Sequence, residues 1–379
     1  MKRTLIACFA LTLSGCSQLD GQLLFNQLDM EVLDGPTETT NAFVRTIDGA
    51  QEELAIALPL GSDENLTGSI LDAHDRGVSV KLVIDHDQQE DTGFAQLIEA
   101  GVPTTLADDG LSYFEFNFKD DVGWTSEQTI MSSAFVVADR QRFISATTAG
   151  GLTEGPRISV SGIGETLVED LLTEHNQLFG GADAVAVTAF DAPAKSIADN
   201  RWSYWMSSGP MMELWFGPQE RITKRMIDAV YGARSSVWVL TDDCANEGLV
   251  AALQTKANHG FDIKIIVGPN FGDSAAPLSR LLQNEAPNVT KRQISTGRLP
   301  TMVLVDLEPA RDNRYHPAKA FVSSHDLYSS SRFYRAEEVV TDQLVDGTLW
   351  VLNDFGHTSA ELATLTELWE TVLDQSGAL

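Results

Sequence analysis

Two stretches of this chain, 44–85 and 227–268, carry the same residue pattern, each position in the second lying 183 beyond its counterpart with no gap. VRTIDGAQEELAIA is matched by IDAVYGARSSVWVL, and AHDRGVSVKLVID by KANHGFDIKIIVG. Gly49, Ala50, Gly77 and Lys81 recur as Gly232, Ala233, Gly260 and Lys264. The apolar positions Val44, Ile47, Leu54, Ile56, Val80 and Leu82 recur as Ile227, Val230, Val237, Val239, Ile263 and Ile265. A chain written this way folds as two tandem copies of one unit.

The periods within each copy say what the unit is. Val44, Ile47 and Ala50, then Leu66, Ile70 and Ala73, recur at helical spacing, whereas LAIALPL and VSVKLVI are apolar runs of strand length. The order is helix, strand, helix, strand, which predicts an α/β unit with a largely parallel sheet. Gly77 and Gly260 fall where each second helix has to stop, a position suited to a residue without Cβ. LVEDLLTEHNQLF and ELATLTELWETVL are amphipathic and are expected as the helices that close the two copies.

The helix-to-strand step, the helix closing on HDRGVSV (His74 to Val80), the strand ending at Asp85 and the step LIEAGV (Leu97 to Val102) resemble the phospholipase D superfamily. The resemblance covers roughly 29–184 and 212–379. It implies two tandem phospholipase D-like α-β-α sandwich domains related by a pseudo-twofold axis, with one site built from both. The expected map is a signal peptide over 1–15, a tether over 16–28, domain 1 over 29–184, a connecting segment over 185–211 and domain 2 over 212–379. In the connecting segment Trp202, Tyr204 and Trp205 are expected to be buried where the copies dock, with a ligand-facing aromatic shelf as the rival reading.

The chemistry of that superfamily resides in HxKxxxxD, once per half. One His attacks phosphorus, its partner protonates the leaving oxygen, and the lysines neutralise the phosphoryl oxygens. Here the first motif strand reads MSSAFVVAD, with Ser132 at the His position, Ala134 at the Lys position and Asp139 at the Asp. The second reads LPTMVLVD, with Leu299, Thr301 and Asp306 at the same places. The secondary GSxN motif is reduced to Ser145, Ala146 and Thr148 in the first half; the second keeps Ser323, Ser324 and Asp326, with Glu337 or Glu338 near the Glu position. No catalytic residue of the family pattern remains.

Substitutes are sparse. The string YHPAKAFVSSHD offers His316, Lys319, Ser324 and His325, but side-chain alternation does not reproduce an HxK face there, and solvated loop histidines are the plainer reading. A metal set from Asp312, His316, His325 and Asp326 matches no known ligand spacing, and Asp85, His86 and Asp87 read as the polar exit of a buried strand. The glycines at 150–151, 162–164 and 180–181 lack the context of a nucleotide loop and read as turns. No cofactor is implied.

The amino terminus points to export. Lys2 and Arg3 precede a short apolar run from Leu5 to Leu13, and Leu13, Ser14, Gly15 and Cys16 form a lipobox. This resembles a bacterial lipoprotein signal cleaved before Cys16, which then carries the lipid and anchors the chain to the outer membrane of a Gram-negative envelope, Ser17 standing where an Asp would signal inner-membrane retention. With Cys8 removed and Cys16 acylated, only Cys244 remains, expected as a half-buried packing residue. Against 26 Lys and Arg stand 54 Asp and Glu, a net charge of −28, which repels nucleic acid and anionic headgroups. Three functions stay in play: a non-catalytic envelope pseudoenzyme with a binding or structural role toward an unknown protein or small-molecule partner, a residual phosphodiesterase using non-standard residues, or a module binding a small ligand in the inter-domain cleft.

Overall fold

The computed structural model describes residues 27–59, 63–85, 88, 90–107, 112–116, 121–125, 129–147, 155–180, 204–206, 208–217, 220, 222–242, 244, 246–269, 287–307, 316–325, 327 and 344–378. The signal peptide, Cys16 and Trp202 lie outside them. The first half runs β1 (Gln27–Asp34), α1 (Gly35–Asp48), β2 (Glu53–Leu58), α2 (Glu64–Asp75), β3 (Ser79–Asp85), α3 (Thr92–Glu99), β4 (Thr104–Ala107), β5 (Ser112–Phe116), β6 (Asp121–Thr125), β7 (Thr129–Met131), β8 (Phe135–Ala138), β9 (Arg142–Ala146), β10 (Pro156–Ile163) and α4 (Glu165–Phe179). The second runs β11 (Tyr204–Trp205), β12 (Met211–Phe216), α5 (Ile222–Gly232), β13 (Ser236–Thr241), α6 (Glu247–Asn258), β14 (Asp262–Val267), β15 (Val289–Gln293), β16 (Thr301–Val305), β17 (Ala318–Ser323), β18 (Leu344–Asp346), β19 (Thr348–Asp354), α7 (Ala360–Gln375) and β20 (Gly377–Ala378).

The repeat extends to the helix ends. Asp63 caps α2 by accepting from the backbone N–H of Asn65 and Leu66, and Asn246, its counterpart 183 positions on, caps α6 by accepting from Leu249. Each cap is worth about 1 kcal/mol. Both helices end at the expected glycines, Gly77 at φ 86° and Gly260 at φ 78°, a left-handed turn that a Cβ would strain.

Each half folds on its own sheet. The first has the order β1-β10-β9-β8-β2-β3-β4 and the second β11-β12-β19-β17-β16-β13-β14-β15-β20. The expectation of a largely parallel sheet is corrected: within these two sheets only β2-β3-β4 and β13-β14-β15 run parallel, with α2, α3 and α6 crossing over from β2 to β3, from β3 to β4 and from β13 to β14. In the first sheet, β8, β9, β10 and β1 pair antiparallel. The turn between β8 and β9 is only Asp139, Arg140 and Gln141, too short for a crossover.

The core is layered accordingly. One cluster, with Ile47, Ile56, Ile70, Leu82 and Phe94, lies between the first sheet and α1 to α3. A second, with Ile227, Val239, Leu253 and Ile265, lies between the second sheet and α5 and α6. The third lies between them and belongs to both halves. It joins Phe135, Phe143, Leu171 and Phe179 to Leu240, Leu299, Leu304, Trp350, Leu365 and Trp369. The closing helices α4 and α7 supply one apolar face each to this shared cluster, as their amphipathic patterns predict. A two-stranded ladder also crosses the halves, β7 pairing in parallel with β18 from Leu344–Thr129 to Asp346–Met131. Cys244 is fully buried in the second half's outer cluster rather than half-buried, held there by the bridge to Leu327.

Candidate functional site

Asp139 and Asp306, the two motif positions still held by Asp, do the same structural work in each half. Both sit at positive φ, 52° and 57°, in the turn that ends β8 or β16. Asp139 accepts the backbone N–H groups of Gln51 (3.0 Å), Glu52 (2.7 Å) and Glu53 (3.1 Å). Asp306 accepts those of Arg234 (2.8 Å), Ser235 (2.7 Å) and Ser236 (3.4 Å). Gln51 to Glu53 and Arg234 to Ser236 are equivalent in the repeat, so each carboxylate clamps the turn that launches the central strand β2 or β13. Burial pushes the Asp139 carboxyl upward, but the N–H groups of Glu52, Glu53 and Gln51 and the nearby Arg142 outweigh it and hold it below the usual value.

At the other end of the motif strands, the His and Lys positions are packed shut. Leu299 is 1% exposed and sits in the shared core, its backbone N–H donated to Asp242 at 2.8 Å. Thr301 is buried with its hydroxyl 3.4 Å from that of Thr241. Ala134 is buried with Val136 and Ala138 in the first half's outer cluster. Ser132 is buried as well, and its hydroxyl lies 3.2 Å from that of Ser324 in the other half.

That contact is one of several across the halves. Ser324 Oγ accepts the backbone N–H of Thr348 at 2.8 Å, which leaves its own proton available to Ser132. Ser133 Oγ and Thr348 Oγ1 meet at 3.0 Å. Trp350 Nε1 donates to Ser145 Oγ at 3.3 Å, and its indole stacks on Phe143 with centroids 5.7 Å apart and planes 8° apart. The space left between Ser145, Thr147, Ile158, Ser324, Thr348 and Trp350 is about 10 Å³ among the described residues, room for no more than one water.

Two glycines at equivalent places, each just before β10 or β19, make this closure possible. A Cβ on Gly155 would lie 2.1 Å from the carbonyl oxygen of Arg298, beside Leu299. A Cβ on Gly347 would lie 2.8 Å from His325 Nδ1 and 3.0 Å from Ser132 Oγ. Each half therefore presses bare backbone against the His position of the other. Nothing in the periodicity of the sequence marks these glycines, because Arg298 and Ser132, which they approach across the halves, are more than a hundred residues away.

The substitute residues do not assemble. His316 and Lys319 stand at the start of β17, Ser324 and His325 beyond its end, and a strand of this length spans roughly 17 Å. His316 accepts at its carbonyl from His357 Nε2 (2.8 Å), and Lys319 is half-buried between the partners Val305 and Asn353. His325 is not a solvated loop residue. It is buried, with Nδ1 2.8 Å from Ser323 Oγ and Nε2 without a partner among the described residues. Burial pushes its imidazole down to about 4, so the ring is neutral. Among the described residues no three of His, Cys, Asp and Glu gather as a metal set; Asp312, Asp326, His86 and Asp87 lie outside them, as do Thr148, Glu337 and Glu338. Asp85 ends β3, largely buried. Gly180 makes the expected turn at φ 95°, whereas Gly162 is inside β10, where a Cβ would lie 2.3 Å from the carbonyl of Gln27.

Trp205 corrects another expectation. Tyr204 is buried in the shared core as expected, but Trp205 is 50% exposed, since neighbours on a two-residue edge strand point to opposite faces.

Comparison with known proteins gives the arrangement its place. No family model matches this sequence, and neither does any curated protein. The fold does match solved structures. Phosphatidylserine synthase from Haemophilus influenzae superposes over 96% of this chain and 91% of its own, with a TM-score of 0.64 at 12% identity. Polyphosphate kinase from Porphyromonas gingivalis matches 92% of this chain with a TM-score of 0.54 at 10% identity, and this chain spans 50% of it. Both are members of the phospholipase D superfamily. This chain has the phospholipase D fold. The Nuc phospholipase D family member from Salmonella typhimurium, 15% identical, aligns with 41% of this chain and 95% of its own at a TM-score of 0.31. In the phospholipase D fold, then, this chain keeps the two Asp clamps and fills the ground between the halves with hydroxyls, indole and backbone.

Proposed function

We propose that this protein is a non-catalytic phospholipase D-like lipoprotein of the bacterial envelope, anchored through Cys16, in which the fold serves as a scaffold with a binding or structural role. The observation that carries the reading is the contact between Ser132 and Ser324. The position that holds a nucleophilic or proton-donating His in the superfamily here holds a buried serine, bonded across the halves and covered by Gly347. Among the described residues no Lys or Arg lines the residual space, so a phosphoryl group has neither room nor counter-charge there. The lipobox residues Leu13 to Cys16 support the anchoring. No helix among the described residues is long and apolar enough to cross a membrane.

The test is turnover of bis-(4-nitrophenyl) phosphate and of phosphatidylcholine vesicles by the purified protein, with and without divalent metal. The expected rate equals that of buffer, because loss of a positioned nucleophile alone removes on the order of 10⁴ in rate. Turnover that vanishes in His325→Ala would overturn the proposal and establish an unconventional site. For the anchor, Cys16→Ser is expected to move the protein out of the membrane fraction or block its processing; wild-type protein found wholly in the soluble fraction would refute it.

A further inference from the structure

A groove of about 490 Å³ opens far from the motif residues, at the opposite end of β19, between the β11–β12 turn and the loop from Asp354 to Ser359. This size is typical of small-ligand sites. Trp205, half-exposed, and Met211, its cross-strand partner, form one apolar wall, and Phe355 adds to it. Ser208 and Thr358, both exposed, stand on the other side; the Ser208 hydroxyl donates to Glu361 at 2.7 Å and so offers the groove only its lone pairs, while Thr358 brings a hydroxyl of its own.

The charges decide what this groove takes. No Lys or Arg among the described residues lines it, so it offers nothing to a phosphate or a carboxylate. Among the described residues its one lining carboxylate, Asp354, is already engaged: Oδ1 accepts the N–H of Gly356 at 2.8 Å and Oδ2 that of Ser359 at 2.7 Å. It is therefore no free anion for an organic cation, and the positive end of the α7 dipole alongside disfavours one further. What remains is a flat aromatic face beside the Ser208 oxygen, which accepts, and the Thr358 hydroxyl, which can donate and accept. We propose that this groove is a binding site for a neutral carbohydrate, a pyranose ring laying its C–H face on Trp205 while its hydroxyls meet Ser208 and Thr358. The site is independent of the closed motif cleft and does not depend on whether that cleft is inert.

The experiment is saturation-transfer NMR and tryptophan fluorescence titration of the purified full chain with neutral disaccharides: maltose, cellobiose and N,N′-diacetylchitobiose. At least one is expected to bind with a dissociation constant of about 1 mM or tighter. Trp205→Ala should weaken it about tenfold or more, while Trp205→Phe, which keeps a flat ring, should lose less. Because Trp205 is half-exposed on an edge strand, both variants should keep the wild-type circular dichroism spectrum, and Ser132→Ala at the motif cleft should bind as wild type does. The proposal is overturned if none of the three sugars binds, if folded Trp205→Ala binds them unchanged, or if tetramethylammonium or inorganic phosphate displaces the bound sugar from the groove.

Discussion

Asp306 offers the sharpest test of the claim that the motif aspartates hold the fold and not a reaction. Its carboxylate takes two short N–H bonds, from Arg234 and Ser235, and a third at 3.4 Å from Ser236 that is too long to weigh much. A hydrogen bond to a charged group is worth about 1.5–3 kcal/mol when its partner is left stranded, but Arg234 is exposed and Ser235 half-buried, so water recovers part of the loss. Taking the low end for two bonds gives about 3 kcal/mol for Asp306→Ala. The left-handed backbone at φ 57° separates the variants further. Asp306→Gly loses the same bonds but relieves strain of about 1 kcal/mol, and Asp306→Asn keeps one acceptor and tolerates the turn, so it should cost about 1 kcal/mol in all. Urea unfolding followed by circular dichroism reads these as shifts in midpoint at constant slope. Asp306→Ala within about 0.5 kcal/mol of wild type, the range of an ordinary surface change, would refute the clamp.

Other consequences follow from the closed interface. Gly155→Ala, with its Cβ driven into the Arg298 carbonyl, should destabilise more than Gly347→Ala, which meets side-chain atoms at 2.8 and 3.0 Å and should cost about 1–3 kcal/mol by urea unfolding; the reverse order would mean the two closures are not equivalent. Trp350→Ala removes both the stack on Phe143 and the bond to Ser145, and a loss of about 3–5 kcal/mol is expected in the same assay; less than 1 kcal/mol would show that the two halves hold together without it. Acid should also loosen the protein. His175 and His325 are buried with imidazoles pushed down to about 4, so the unfolded chain, titrating near 6.5, binds more protons in between. Their stabilisation is complete above about pH 6.5 and falls toward pH 4 by at most about 1.4 kcal/mol per pH unit for each ring. His325→Gln should flatten that slope, and a wild-type midpoint unchanged between pH 7 and 5 would contradict the burial of both rings.

What the sequence disclosed was what repeats and what alternates. Gly77 and Gly260, the run from Leu54 to Leu58, and the apolar faces of α4 and α7 all rest on local patterns, and the structure places them as expected. The loss of the His and Lys positions was equally plain. Three things were hidden, each because its cause lies far along the chain. Strands β8 to β10 turn the sheet antiparallel through a turn whose Asp139 is fixed by N–H groups from Gln51 to Glu53. His325 looks like a loop residue until β17 and Gly347 bury it. Ser132 and Ser324 are picked out by their motif positions, but nothing in the sequence shows that they bond to each other until the halves meet.

The shared cluster has a consequence for how the chain reaches its native state. Ser133 and Thr348 are 215 residues apart, and the β7–β18 ladder joins segments just as distant. The apolar face that carries Phe135, Phe143 and Leu171 finds its cover in the second half of the chain, from Leu240 to Trp350, Leu365 and Trp369. During synthesis from the amino terminus the first half must therefore wait with that face uncovered, a sticky intermediate whose lifetime is set by translation and not by its own folding rate. The two copies share one apolar cluster, so the first half expressed alone should aggregate, and adding the second half in trans should rescue it.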